Sequence, residues 1–407
     1  MGLEINIDES KVPEYTLPDP LISLDNTKIT TPIEWFEKRR PEIFKLFEHH
    51  IYGRLPGKPK VMNFKTHSIE NHALKGKATC KEISIYLKNG KKDLTLNLLI
   101  FLPSYHPKPV PIFLGLNFYG NHSTHPDPSI PLTKNWIPKE RKLGIFKHRA
   151  TESSRGVRAY RWPAEFLVKR GYGLATMYSG DIDPDYDDGF QNGAHPLFYK
   201  KDQMKPASDE WGTIGAWAWG LSRTMDYFEN DADIAHENVA VIGHSRLGKA
   251  ALWAGATDQR FAIVISNNSG CGGAALFRRK FGERISHMVN VYPHWFCDNF
   301  KKYINKEEDL PVDQHMLIAL IAPRPVYIAS AEQDAWADPR GEFLSAKYAD
   351  PVYKMLGTTG LKTDKMPEIN HPILSTIGYH IREGDHDVLR YDWERYLDFA
   401  DYHLKNI

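Results

Sequence analysis

Cysteine is scarce in this chain, and long apolar runs and a surplus of either charge are missing altogether. Only Cys80, Cys271 and Cys297 occur in 407 residues, too few for a disulfide framework and at spacings that match no zinc motif. One bridge at most can form, with Cys271 and Cys297 the nearer pair, and three buried thiols are the favoured expectation. No apolar stretch approaches the roughly 18 residues needed to span a bilayer. The opening Met1-Gly-Leu-Glu-Ile-Asn-Ile-Asp8 has neither a basic nor an apolar signal region, so either the protein is cytoplasmic or a signal peptide has been removed. Lys plus Arg number 52 against 51 for Asp plus Glu, and a formal net charge of +1 gives no reason to expect nucleic acid or a membrane surface as partner.

What the chain has is length for a large core, in one extended domain or two, and many aromatics. Ten Trp, 20 Tyr and 19 Phe make up 12% of it. Most of them belong in the core, but tryptophan offers a flat apolar face with one N–H donor, a surface that suits sugar rings.

The N-terminal 30 residues, with Pro13, Pro18 and Pro20, predict an extended segment, and Thr31-Pro32 opens a helical region that ends near Gly53. From Met62 to Leu102 the pattern alternates, and Asn89-Gly90 marks a hairpin between antiparallel strands. Short apolar strands at Val110–Phe118, Gly173–Tyr178, Val239–Ile242, Phe261–Ile265, Pro325–Ala329 and near residues 378–382 then alternate with helices. One of these helices carries Ile214, Trp217, Leu221, Met225 and Phe228 on one face. Residues 121–160 predict a lid or rim. The acidic run Asp181, Asp183, Asp185, Asp187 and Asp188 lacks a completing glutamate at EF-hand spacing, so a solvated loop is favoured over a calcium site. The order implies an α/β fold, a mostly parallel sheet covered on both faces with antiparallel strands at its start.

The chemistry centres on Gly243-His-Ser245, which stands between a strand and a helix and resembles a nucleophile elbow; Leu247 occupies the usual place of a small residue, and Gly248 follows. In an α/β-hydrolase arrangement nucleophile, acid and base follow one another along the chain at the ends of successive strands. Ser245, then Glu332, Asp334 or Asp338, then His386 meet that order. A serine hydroxyl needs a base to take its proton, and the histidine needs a carboxylate to fix its tautomer and stabilise its charged form. Two cations beside the serine, Arg246 and Lys249, suit a polar, acidic or hydroxylated substrate better than an apolar acyl chain.

Gly243-His-Ser-Arg-Leu-Gly-Lys249 resembles the Gly-Cys-Ser-Arg-x-Gly-Lys signature of glucuronoyl esterases, carbohydrate esterase family 15. Ala216-Trp-Ala-Trp-Gly-Leu-Ser-Arg-Thr-Met-Asp226 resembles the helix that precedes it, and the likeness runs from about residue 110 to the C-terminus through Ala322-Pro-Arg-Pro and Trp336-Ala-Asp-Pro-Arg-Gly-Glu. The resemblance implies a three-layer α/β-hydrolase sandwich over 1–407, with residues 1–60 an N-terminal extended and helical extension packed on it. It also implies hydrolysis of the ester joining 4-O-methyl-glucuronic acid on xylan to a lignin alcohol, with no metal or organic cofactor. The protein it implies is a monomer, secreted or periplasmic after removal of a signal peptide, with the cytoplasm not excluded.

Carried over by position, the resemblance makes Ser245 the nucleophile, His386 the base, Arg246 an oxyanion-binding side chain and Lys249 a sugar-binding one, with Trp336 and Trp295 as further substrate contacts. His244 and Asp387 stand where fungal members carry the two cysteines of a disulfide, and Asn268 stands where they carry the catalytic glutamate. Some bacterial relatives take the acid from the later loop, which selects Asp334, with Glu332 and Asp338 as runners-up. No Gln and Glu fall in register before Trp295-Phe296 as the family's sugar contacts would. Galacturonate esters, alkyl uronates or acetylated sugars are therefore further expected substrates. The other readings are an acetyl-xylan esterase or similar hydrolase, and a non-catalytic module that binds plant polysaccharide.

Overall fold

The computed structural model describes residues 5–405. Its chain gathers into two compact units, one comprising Pro56–Pro206 with Ala216–Val241, the other Met1–Leu55, Ala207–Gly215 and Ile242–Ile407. Of the extension expected over 1–60, the described residues through Leu55 thus cluster with the C-terminal part of the chain, and those from Pro56 on belong to the other unit.

In the first unit β1 (Val61–His72), β2 (Ala78–Asn89) and β3 (Lys92–Pro103) form an antiparallel meander. Asn89 pairs with Lys92 across a turn whose Gly90 has φ 63°, a left-handed conformation that glycine adopts without strain. Ile83 faces Leu98, Ile85 faces Leu96 and Leu87 faces Leu94 in that register, and the period-2 pattern sends these six side chains to the same face. Strand β1 is largely exposed and carries Lys65, His67 and Glu70, polar residues that blunt a free edge. Strands β4 (Val110–Asn117) and β5 (Gly173–Tyr178) are parallel, and β5 also pairs with β3. Both are almost wholly buried, as parallel strands covered on two faces must be.

The helix Thr213–Phe228 buries Trp217, Leu221, Met225 and Phe228, as the helical spacing predicts. It buries Ala216, Ala218 and Trp219 as well, so it is enclosed on all sides rather than on one. The acidic run departs from expectation at its start. Asp181 and Asp183 turn inward and are buried, Asp183 against His195 Nδ1 at 3.0 Å, because the chain folds into a helical turn at Ser179–Ile182. The solvated loop is confined to the residues after them.

Strand β6 (Ile234–His244) begins in this unit and ends in the other. There β7 (Ile263–Asn267), β8 (Val326–Ala331) and β9 (Ile377–Arg382) run parallel in that order and are fully buried. The helix Arg246–Thr257 lies so close on β7 that a Cβ at Gly255 would stand 2.4 Å from Val264 Cγ2. At the N-terminal helical region Thr31 Oγ1 accepts from Glu34 N–H and Glu34 Oε2 accepts from Thr31 N–H, a capping box at the expected start. Its Phe44 and Tyr52 then stack on Trp253, with centroids 5.4 and 4.6 Å away, and so seat this helical region on the helix that follows Ser245. No helix is legible in the sequence over Pro339–Met355, where Pro351 interrupts the pattern, yet a helix forms there with Asp338 as its cap. All three cysteines are free thiols, and burial pushes Cys80 and Cys297 up to about 12. Among the described residues no helix is long and apolar enough to cross a membrane.

Candidate active site

Ser245 sits at the end of β6 with φ 57° and ψ −133°, a conformation that an L-residue holds only when its surroundings enforce it. Four features enforce it. Its N–H donates to Asn267 O of β7 at 2.9 Å, and its own carbonyl accepts from Gly248 N–H at 2.8 Å, which starts the helix. Gly243 lets the turn close, since a Cβ there would lie 1.9 Å from Leu247 O. Gly248 does the same on the other side, with a Cβ 2.9 Å from Ser269 Cβ. The tight approaches thus fall on Gly243 and Gly248, and Leu247 points into the core at 1% exposure. An elbow of this kind tolerates leucine there because that side chain faces away from the turn.

The structure brings His386 and Asp334 together. His386 Nδ1 lies 2.5 Å from Asp334 Oδ2, with the ring partly exposed and the carboxylate buried. Asn268 Nδ2 donates to the same oxygen at 2.7 Å, from a backbone held at φ 47°. The other two carboxylates are occupied or remote in character. Asp338 pairs with Arg279 at 2.8 Å and caps a helix through Gly341 N–H, while Glu332 faces solvent. Glu342, fully buried, accepts from Ser330 Oγ at 2.7 Å and from Gly270 N–H at 3.0 Å. Burial, with the neighbouring Asp334 carboxylate adding to it, pushes its carboxyl up to about 8, so near neutral pH Glu342 is mostly protonated.

The loop that carries His386 is held by Arg382, which sequence reasoning missed. Its buried guanidinium donates to the carbonyls of Glu383 (2.9 Å), Asp385 (3.0 Å) and Asp387 (2.6 Å), and its Nε rests on Asp392 at 2.9 Å. Asp392 also accepts from Asn267 Nδ2 at 3.3 Å, and Asn267 Oδ1 lies 2.6 Å from His244 Nδ1. A buried polar chain from His244 through Asn267, Asp392 and Arg382 therefore ends at Asp387. It joins the two positions at which a disulfide cannot form in this chain. The rings of His244 and His386 approach to 4.5 Å between centroids, which sets His386 beside the residue that precedes Ser245.

Around the elbow, Arg246 lies with its guanidinium carbon 5.6 Å from the centre of the Trp295 ring. Trp295 is buried, stacked on Tyr292 at 3.8 Å with planes 1° apart, and Lys249 Nζ stands 5.7 Å from its centre. Trp295 therefore supports the two cations instead of offering an open face. Lys249 is buried, and its ammonium donates to Ser269 O (2.9 Å), Cys271 O (2.5 Å) and Glu283 Oε2 (2.8 Å), which uses all three of its protons. Glu283 itself, out of register in the sequence, lies in this site because the lysine holds it. Trp336 is 40% exposed, the one tryptophan of the site with a free surface, and its ring meets His287 edge-on at 5.2 Å. His287 is 7% exposed, and neither ring nitrogen has a hydrogen-bond partner among the described residues. A buried polar group left unpaired costs about 1–3 kcal/mol, so this imidazole is one that a bound ligand would satisfy. The sequence signal for it was only its place four residues after Glu283.

Strained serine, turn glycines and the parallel strands β7 to β9 define the protein as an α/β hydrolase. A family profile described as glucuronyl esterase, fungi, matches residues 189–357. A carbohydrate esterase, MZ0003, from an unknown prokaryotic organism is 54% identical over 98% of this chain and 92% of its own length. A promiscuous family 15 esterase from a marine bacterial metagenome superposes with a TM-score of 0.92 at 53% identity, covering 98% of this chain and 100% of that one. A glucuronoyl esterase from Solibacter usitatus gives 0.92 at 46% identity, over 97% and 100% of the two chains. A 4-O-methyl-glucuronoyl methylesterase from Schizophyllum commune is 27% identical over 84% of this chain and 74% of its own. The chain belongs to carbohydrate esterase family 15, the glucuronoyl esterases, and is a carboxylic ester hydrolase acting on a carbohydrate ester.

Proposed function

We propose that the protein hydrolyses esters of glucuronic acid, of the 4-O-methyl-glucuronoyl type that joins xylan to lignin alcohols, with Ser245, His386 and Asp334 as its catalytic residues. The observation that carries the assignment is the 2.5 Å approach of Asp334 Oδ2 to His386 Nδ1, with Ser245 in the strained elbow. Asp334 holds a proton on Nδ1, which leaves Nε2 as the acceptor for the Ser245 proton as Oγ attacks the uronate carbonyl carbon. The tetrahedral intermediate carries a negative oxygen, and Arg246, fixed over Trp295, supplies positive charge to it. The imidazolium then returns its proton to the leaving alkoxide. Water attacks the acyl-serine by the same route, giving the free uronic acid and the original hydroxyl.

Sugar recognition in this reading falls to Glu283, whose second oxygen accepts no hydrogen bond among the described residues, to His287 and to the open face of Trp336. Lys249 acts here by holding Glu283. The reading as a non-catalytic polysaccharide module rested on the missing charge at Asn268, and Asp334 supplies a carboxylate in its stead. Action on plant cell-wall polymers requires export, so a secreted or periplasmic place belongs to the same proposal.

The test is release of alcohol from benzyl and methyl glucuronate by the purified chain and by Ser245→Ala. Loss of turnover in the variant is expected; equal turnover would end the serine mechanism. Turnover of galacturonate or acetyl esters in preference to glucuronate would end the substrate assignment and leave the mechanism standing.

A further inference from the structure

A second cavity lies within the unit that carries β1 to β5. It has a volume of about 500 Å³ and opens between the β2–β3 face and the segment Ile130–Asn135. None of its residues takes part in the chemistry proposed above. At its base stands Asp181, 4% exposed. Asp181 Oδ2 accepts from the Asn97 N–H (3.2 Å) and from Asn97 Nδ2 (3.0 Å), and Oδ1 accepts from Asn135 Nδ2 (2.7 Å). Burial pushes the carboxyl up to about 6, and the cavity lining also carries one residue of each charge, Lys134 and Glu82.

The two walls differ in kind. One is a polar ladder in which His67 Nε2 meets Ser84 Oγ at 2.8 Å, and Ser84 Oγ donates to Asn97 Oδ1 at 2.8 Å, which leads on to Asp181. The other is apolar, formed by Ile130, Pro131 and Leu132. The fold needs no buried carboxylate beneath a solvent-filled space, because a neutral or apolar residue would cost less there. A carboxylate with about four acceptor positions and three N–H bonds keeps one position for a further donor, and the amides beside it can donate and accept in their own plane. An anion would meet the Asp181 charge, and the charge of Asp181 is already met by three N–H groups, so a neutral ligand rich in hydroxyls fits best. Ligand pockets run from about 300 to 1,000 Å³, which gives this one room for a sugar residue.

We propose that this cavity is a second carbohydrate site, which takes a neutral pyranose unit of a polysaccharide with its hydroxyls on Asp181, Asn97 and Asn135 and its C–H face on Ile130, Pro131 and Leu132. The inference does not rest on the ester reading. It is tested by calorimetric titration of the full chain with xylotriose and with cellotriose, and of the variants Asn135→Ala, Leu132→Arg and Ser245→Ala. Asn135 is exposed and Leu132 half-buried, and neither belongs to the ester site, so turnover of methyl glucuronate is expected to stay as it is in both variants. Saturable binding of either sugar is expected, unchanged in Ser245→Ala and weakened at least about tenfold in both cavity variants, as the loss of a hydrogen bond or of the open space requires. Binding of neither sugar overturns the proposal. So does binding that is equally tight in the cavity variants, since the sugar would then sit elsewhere.

Discussion

Asn268 donates its side-chain amide to Asp334 Oδ2 at 2.7 Å, the oxygen that also faces His386 Nδ1. The residue at the position where the resemblance places a glutamate thus donates to the carboxylate proposed above as the acid, which lies in the loop after β8.

That relationship sets an order of effects. Asp334→Asn removes the charge that stabilises the imidazolium and offers His386 the wrong tautomeric partner, so kcat on benzyl glucuronate is expected to fall by about a thousandfold or more. Asn268→Ala removes one hydrogen bond to a charged group and is expected to cost about tenfold. Steady-state kinetics on the two variants check the order, and a larger loss in Asn268→Ala would contradict it.

Arg382 holds three carbonyls of the His386 loop while resting on Asp392. Its replacement by methionine removes the cation paired with the buried Asp392, which keeps only Asn267, His380 and Leu389 as partners, and takes the donor from those carbonyls, a loss of about 3–5 kcal/mol for a broken buried pair. The expected result is a lower Tm, with kcat reduced more than KM because the loop positions the base. Arg382→Lys keeps the charge but cannot reach all three carbonyls, and an intermediate Tm is expected.

His287 predicts a split between binding and stability. Both its ring nitrogens are buried without partners among the described residues, so His287→Leu removes an unmet polar group and Tm is expected to hold or rise. If the ring meets the substrate beside Trp336, KM for glucuronate esters rises about tenfold with kcat little changed. An unchanged KM would show the ring to be a packing residue.

Glu342 links stability to pH. Its carboxyl is raised from 4.5 to about 8 by burial, with the nearby Asp334 carboxylate adding to the rise, while hydrogen bonds from Ser330, Gly270 and Ser269 oppose it. The folded state therefore binds this proton more tightly than the unfolded state. The stabilisation is fully present below about 4.5 and is lost as pH rises through about 8. Glu342→Gln is expected to flatten that decline in denaturant melts taken from pH 5 to 9; a decline as steep as in the parent would exclude Glu342 as its source.

The elements that rest on local pattern were legible before any coordinates. The Asn89-Gly90 hairpin, the Thr31 cap and the apolar runs that became β4 to β9 follow from backbone preferences and side-chain period, which act over a few residues. The serine was legible too, since Gly243 is required by its approach to Leu247 within the same turn. Less could be read where an element breaks its own pattern, as the helix Pro339–Met355 does at Pro351, or where polar residues turn inward, as Asp181 and Asp183 do.

By itself the sequence determined the α/β order, the elbow and the succession of serine, acid and histidine along the chain. Tertiary structure decided which of three nearby carboxylates meets His386, which side chains replace the missing disulfide, and that Lys249 spends its protons on the chain rather than on a ligand. The physical reason is one of distance. Pairing across strands 20 to 140 residues apart depends on where β6 to β9 end in space, and Asp334, Glu332 and Asp338, within one loop, are told apart only by what each loop position faces.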